Sequence, residues 1–207
     1  MNKFTVTRRM VLGATLVLAG LVLDLTMTWR LAPAAAEEIC WTGGGTQFVD
    51  AIRYCPSSVL APQGGSTYGP QNLTDGNPAT AWCEGATGHG SGETITIRID
   101  GGPPFRRLLI RNGDGKSSQT SANNGRIKTL AITSDAGVQT TASLIDQNGL
   151  LPVDLLKPAR HWVQLKIIDV YPGDRFAATC LADVTLTMST KRNCCRGSKD
   201  SSWHSLR

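Results

Sequence analysis

The chain of 207 residues lacks the sequence signals of several common functional classes. Its longest apolar run, residues 10–23, is shorter than the ~20 residues that a membrane-spanning helix usually needs. No C-x-x-C pair or regular spacing of Cys and His predicts a zinc site. The most turn-rich loop, residues 68–93, contains no recognisable set of nucleophile, base and orienting group. These absences favour a binding protein over an enzyme or a zinc protein.

Positive charge is also scarce in the body of the chain, although the whole chain has a formal net charge of +5. Residues 37–188 contain 12 basic and 14 acidic residues, so the basic excess belongs to residues 1–36 and 189–207. A folded nucleic-acid-binding domain normally carries a basic patch on its own surface. We therefore expect no nucleic-acid partner.

The first 36 residues have the pattern of an export signal. Lys3, Arg8 and Arg9 precede the apolar run, and small residues at 34–36 offer a cleavage site. We predict a signal helix over residues 1–36 that is removed on export, with an uncleaved N-terminal anchor as the alternative. Residues 7–12 also resemble a twin-arginine signal. In each case the folded domain is secreted or lies in the periplasm or cell envelope.

Six cysteines in an exported chain favour disulfide bonds, and the sequence leaves all 15 pairings of six cysteines open. Cys40 and Cys55 could close a short N-terminal loop. Cys83 follows a loop tryptophan and Cys180 lies near the last strand, so these two could join distant parts of the domain.

The C-terminal segment, residues 189–207, lacks apolar periodicity and is predicted to be a disordered basic tail. Its simplest interpretation is a solvated extension, and the alternative is a polybasic arm that touches anionic cell-surface polymer. Cys194 and Cys195 are adjacent there, and a bond between neighbours would be strained. We expect them to be free or to form intermolecular bonds.

From Glu93 onward, alternating residues predict one short β-strand after another. Ile95, Ile97 and Ile99 share one face of the first of these segments, with polar residues opposite. Similar segments follow as far as Met188 without a convincing long helix, which indicates an all-β sandwich or barrel. We assign residues 55–188 to this domain and residues 37–54 to an irregular lead-in.

Four motifs, in this order, resemble those of discoidin (coagulation-factor type C) domains. They are N-L-T-D-G-N-P-A-T-A-W at 72–82, I-R-N-G-D-G-K at 110–116, A-N-N-G-R-I-K-T-L at 122–130 and I-I-D-V-Y-P-G-D-R-F-A-A-T-C-L-A-D-V at 167–184. The chain is most similar to the branch found at the front of secreted bacterial NAD glycohydrolases, a glycan-binding and translocation domain.

The resemblance implies a galactose-binding-like jelly roll of two antiparallel sheets, in which loops at one end meet the ligand. It also implies an exported, non-catalytic module that binds a glycan or cell-surface polysaccharide. Because the chain ends soon after the sandwich, we expect no NAD-cleaving activity. Trp82 occupies the tryptophan position of the family motif and is expected to plug the base of the sandwich.

The polar loops supply the candidate ligand contacts. Planar amides and a guanidinium suit sugar hydroxyls, and an aromatic platform such as Tyr68 or Tyr171 would add an apolar face. The alternative is that the Asn-Gly pairs in these loops serve only as turns. The residues that we predict to contact carbohydrate are Glu84, Asn112, Lys116, Asn124 and Arg126.

Calcium is the one cofactor that we consider, as a structural ion. Calcium takes six to eight oxygen ligands, which Asp75, Asn77, Thr80, Asp183 and backbone carbonyls could supply. Asp183 stands where the family usually has Glu, so its shorter arm departs from the family pattern. Without calcium, Asp75 and Asn77 would cap their own turn.

Two other functions remain open. Glu84, His89 and Glu93 could perform acid-base chemistry on a polysaccharide, although their spacing along one loop does not show that they converge. If the leader is not cleaved, the protein could instead be an envelope-anchored adaptor that meets another protein.

Overall fold

Two antiparallel β-sheets make up the computed structural model, which describes residues 39–189 and 203–206, with side chains from 39 to 188. The predicted signal segment, its cleavage site, Cys194 and Cys195 lie outside these residues. Among the residues described, no helix is long and apolar enough to cross a membrane.

The first sheet contains six strands. In spatial order they are β1 (Trp41–Gly43), β2 (Ala51–Pro56), β4 (Thr94–Asp100), β9 (Trp162–Tyr171), β6 (Arg126–Ser134) and β7 (Gln139–Ser143). The second sheet has the order β11 (Trp203–Leu206), β10 (Cys180–Ser189), β5 (Phe105–Asn112) and β8 (Leu150–Ala159), and β3 (Trp82–Cys83) pairs with β10. One turn of 3₁₀ helix, Pro70–Leu73, and the short helix α1, Ser118–Asn123, complete the described elements.

The core lies between the sheets and follows from the alternation in the strands. Ile95, Ile97 and Ile99 are each at most 1% exposed, as the pattern of β4 predicts. Trp82 is completely buried, and its indole N–H donates to the Ser58 carbonyl at 3.0 Å. This tryptophan therefore anchors the turn-rich loops to the core, in agreement with the sequence prediction.

Two disulfide bonds reinforce the sandwich. Cys40 pairs with Cys55, which joins the residue before β1 to β2. Cys83 pairs with Cys180 and links β3 to the beginning of β10 across 97 residues of sequence. Both pairs join the cysteines that the sequence analysis had placed together.

The structure corrects two of the predicted segments. The lead-in 37–54 is not wholly irregular, because β1 and most of β2 lie within it, and Ile52 and Tyr54 of β2 are buried. The predicted disordered tail contains β11, whose four residues pair with Leu186–Ser189 of β10. Backbone hydrogen bonds suffice to form such an edge strand, so a polar composition does not exclude one.

Candidate functional site

Loops at one end of the sandwich surround a cleft of about 730 Å³, which we call the main cleft. Its walls come from residues 60–68, 79–88, 114–124 and 176–178, so the bends after Leu60 and after Arg111 lie side by side. One rim is the tight turn Gly64-Gly65, where backbone hydrogen bonds join Gln63 and Ser66 in both directions. Both glycines have positive φ, which this kind of two-residue turn requires.

A buried carboxylate fixes the loops beneath this cleft. Glu84 is fully buried, and its two carboxylate oxygens accept hydrogen bonds from the backbone N–H groups of Thr179 (3.1 Å) and Ala86 (2.8 Å). The Thr179 hydroxyl donates to the His89 carbonyl at 2.9 Å. A Cβ at Gly90 would lie 2.6 Å from the Glu84 side chain, so the loop needs a glycine there. Glu84 thus joins the two loops that carry residues 86–88 and 176–178.

Burial also changes the acidity of this group. Loss of solvent raises the pKa of the Glu84 carboxyl above its usual value, while the hydrogen bonds from Thr179 and Ala86 act in the opposite direction. The structural role of Glu84 follows from its geometry, because both carboxylate oxygens accept hydrogen bonds from the backbone.

The loop between β5 and β6 forms the polar wall of the main cleft. Helix α1 begins in a capping box in which Ser117 and Thr120 each bond the other's backbone N–H. Asn124 follows the helix, and its side-chain amide donates to the Thr120 carbonyl at 2.9 Å. Gly125 then packs against Thr179, its N–H donates to the Ala178 carbonyl, and its carbonyl accepts from the Cys180 N–H. These hydrogen bonds hold the β5–β6 loop next to Glu84 and its partner Thr179.

Polar and aromatic residues both line this cleft. Asp114, Lys116, Thr120 and Asn124 line it on the side of α1. Tyr68 and Phe176 also line it, and Phe176 is 46% exposed with the Arg175 guanidinium 5.3 Å from its ring centre. Sequence analysis missed Phe176. The sequence signal that could have identified Phe176 is its position as an isolated aromatic residue in a polar loop.

The structure brings only two of the five predicted ligand contacts into the main cleft, Lys116 and Asn124. Glu84 is sealed below it, which corrects its prediction as a contact residue. Asn112 is 3% exposed, and its amide bonds both the N–H and the carbonyl of Ile127, at 2.9 and 2.7 Å. Asn112 therefore bridges β5 and β6 instead of facing a ligand.

Arg126 lies at a second, smaller pocket of about 190 Å³, which we call the side pocket. Its guanidinium makes a bidentate pair with Asp146, at 2.7 and 2.9 Å, and also donates to the carbonyls of Ser121 and Asn124. The hydrogen bond from Arg126 holds the pKa of Asp146 below its usual value. The predicted contact residues are thus divided between two pockets and the protein interior.

The sequence matches the family described as the NAD glycohydrolase translocation F5/8 type C domain over residues 42–187. The chain belongs to this family. The match begins before the predicted start at residue 55, in agreement with the strands found in the lead-in. A search of curated proteins found no match.

Solved structures share the fold of this F5/8 type C domain. A carbohydrate-binding module of Clostridium perfringens, CpGH89CBM32-5 in complex with GalNAc-β-1,3-galactose, is 16% identical with a TM-score of 0.50, covering 65% of this chain and 94% of that chain. Arabinofuranosyltransferase AftD from Mycobacteria is 16% identical with a TM-score of 0.54, covering 81% of this chain and 11% of that chain. The galactose-binding-like jelly roll that the resemblance implied is thereby confirmed.

Some of the predicted calcium ligands of the F5/8 type C domain form hydrogen bonds with one another. The Asp75 carboxylate accepts bonds from the Asn77 N–H (2.8 Å) and the Thr80 hydroxyl (2.6 Å), so these residues bridge the turn between them. Asp183 is 2% exposed on β10, accepts a bond from Thr185, and contributes with burial to raising the pKa of Tyr54. No group of three or more His, Cys, Asp or Glu within the described residues could hold a metal ion. The oxygen atoms of these side chains are of the type that calcium binds. The calcium site of Asp75, Asn77, Thr80 and Asp183 stays a prediction.

The residues considered for acid-base chemistry have structural partners as well. Glu93 accepts hydrogen bonds from the hydroxyls of Ser57 and Ser58, and His89 is exposed. Tyr171, one of the two predicted platforms, donates its hydroxyl to the Leu144 carbonyl and does not line the main cleft. Tyr68 is therefore the predicted platform that the structure places at the site.

Proposed function

We propose that this protein is an exported, non-catalytic module that binds carbohydrate in the main cleft. The observation that carries the proposal is that polar side chains of the β5–β6 loop and an exposed Phe176 face one cleft of about 730 Å³. Binding pockets for small ligands usually have volumes of about 300–1,000 Å³. A family 32 carbohydrate-binding module with the same fold was solved in complex with GalNAc-β-1,3-galactose, which supports the same ligand class here.

The side chains in the cleft have the chemistry that sugar hydroxyls require. The Asn124 carboxamide offers a planar donor and acceptor, the Lys116 ammonium donates, and the Asp114 carboxylate accepts. Tyr68 and Phe176 provide apolar faces against which the C–H groups of a pyranose ring can pack. The cleft is partly open to solvent, so a bound sugar would be only partly enclosed and we expect weak binding at a single site.

Export and the lack of catalysis belong to the same proposal. Both disulfides suit an oxidising compartment. Glu84 accepts hydrogen bonds from two backbone N–H groups and one oxygen of Glu93 accepts from two serines, which supports structural roles for both carboxylates. Mass spectrometry of the native protein should find an N-terminus near Glu37, whereas an intact Met1 would support the anchored adaptor.

A glycan array probed with the full-length protein tests carbohydrate binding directly. For any glycan that binds, Lys116→Ala and Phe176→Ala should each weaken affinity by about tenfold, because each removes one contact in the cleft. The matched controls are Lys157→Ala and Leu156→Ala, which remove an exposed lysine and an exposed apolar residue from β8. The controls should leave affinity unchanged.

Two results would contradict the proposal. One is the absence of binding to any glycan by protein that is folded and has both disulfides. The other is equal loss of affinity in the cleft variants and the β8 controls, which would place the binding surface elsewhere.

A further inference from the structure

The side pocket lies next to the main cleft and has a different lining. Its walls are Ser118, Ser121 and Ala122 of α1 together with Asp146, Gln147 and Asn148 from the β7–β8 loop, and Arg126 forms its base. Gln147 and Asn148 are exposed, and the Ser121 hydroxyl donates to the Asn148 amide oxygen at 3.3 Å. The pocket is therefore rich in the neutral donors and acceptors that bind hydroxyl groups.

Helix α1 separates the two pockets. Thr120 of the helix and Asn124, the residue that follows it, line the main cleft. Ser118, Ser121 and Ala122, at spacings of three and four residues, share another face and line the side pocket. A helix with its side chains is about 10 Å wide, so one monosaccharide cannot occupy both pockets.

The charges in each pocket are balanced. The main cleft contains Asp114 and Lys116, and the side pocket contains Arg126 and Asp146. The Arg126 guanidinium uses its nitrogens on the Asp146 carboxylate and on carbonyls of the α1 segment, so it is not available to an anionic ligand. This balance favours an uncharged, hydroxyl-rich ligand over an acidic one.

We propose that α1 divides a two-part binding surface, and that the ligand is an extended stretch of neutral polysaccharide which crosses the helix from the main cleft to the side pocket. The inference rests on the proposed function and adds to it the length and charge of the ligand. Two weak subsites on one chain raise affinity together, because binding at the first brings the polymer to the second. Short sugars should bind only in the main cleft.

The test uses the full-length protein and neutral oligosaccharides of galactose, glucose, mannose and arabinose, from the monosaccharide to the hexasaccharide. Titration calorimetry should show affinity rising at least about tenfold with length in a series that binds. Gln147→Ala should remove this gain for the long oligomers and leave the affinity for short sugars unchanged. Gln139→Ala, an exposed glutamine on β7 outside both pockets, is the matched control.

The outcomes separate this inference from the proposed function. Affinity that does not grow with length, or a Gln147→Ala variant that binds long oligomers like the unmodified protein, overturns the two-part surface and leaves carbohydrate binding in place. Tighter binding of acidic than of neutral oligomers of equal length also overturns it. Failure of every series and of the glycan array would overturn both proposals.

Discussion

The two disulfides should differ in their contribution to stability, because they close loops of very different length. The Cys83–Cys180 bond closes 97 residues and the Cys40–Cys55 bond closes 15. The two loops share no residue, so each can be removed without changing the other. Cys83→Ala/Cys180→Ala and Cys40→Ala/Cys55→Ala are therefore the variants to compare.

The expected magnitudes follow from the entropy of loop closure in the unfolded chain. The longer loop corresponds to about 4.7 kcal/mol and the shorter to about 3 kcal/mol at 25 °C. Domains are stable by about 5–15 kcal/mol, so loss of the Cys83–Cys180 bond should remove a large part of the free energy of unfolding. Both of its cysteines are completely buried, and the alanine cavities add to this cost.

Denaturation by urea under non-oxidising, non-reducing conditions measures these differences. We expect the urea midpoint to fall further for Cys83→Ala/Cys180→Ala than for Cys40→Ala/Cys55→Ala. The free energy of unfolding, calculated from the midpoint and the slope, should differ by about 1.5 kcal/mol or more between the variants. The quadruple variant should lose about the sum, because the sites are independent. A larger loss in Cys40→Ala/Cys55→Ala would refute the argument from loop length.

Three further predictions concern single residues. The pKa of Glu84 is raised in the folded state, so its contribution to the free energy of unfolding is present below its ordinary pKa near 4.5 and is lost as the pH rises through the folded pKa. Glu84→Gln should flatten that decline in a pH series of urea titrations. Trp82→Phe should cost about 2 kcal/mol by leaving the Ser58 carbonyl without its donor and opening a cavity, whereas Trp41→Phe, at a 45% exposed position, should change thermal unfolding little. Calcium in hundredfold excess over its dissociation constant should stabilise the protein by about 2.7 kcal/mol, and Asp75→Asn should abolish the effect. If a calcium titration releases no heat and does not shift the temperature of unfolding, the predicted calcium site is wrong.

The strands were predictable because their signal is local. In β4, alternate isoleucines specify which face is buried, and no distant residue is needed to see it. The β2 segment is short and its burial does not alternate regularly, so the sequence analysis assigned most of it to the irregular lead-in. The edge strand β11 has no apolar alternation in its sequence, so its pairing with β10 could not be predicted from a local pattern.

The site was harder to predict because its residues meet across long sequence distances. The burial of Glu84 depends on Thr179, 95 residues away, and a polar residue in a turn-rich loop gives no local sign of that contact. Asn112 was chosen for its amide, and the amide instead bridges two strands. Lys116 and Asn124 line the main cleft because their loop contributes polar side chains to it, and their contact with a ligand stays a prediction.

The hydrogen bonds that join Glu84 to Thr179 and Gly125 to Ala178 connect distant parts of the chain, so we expect the cleft to form late in folding. Contacts between distant parts of a chain are slow to form, and the last of these segments leaves a ribosome or an export channel only when most of the protein has already emerged. A fragment truncated before Thr179 would keep several strands yet lose the walls that a ligand needs. Retention on a suitable affinity resin would therefore select complete, correctly folded molecules during purification.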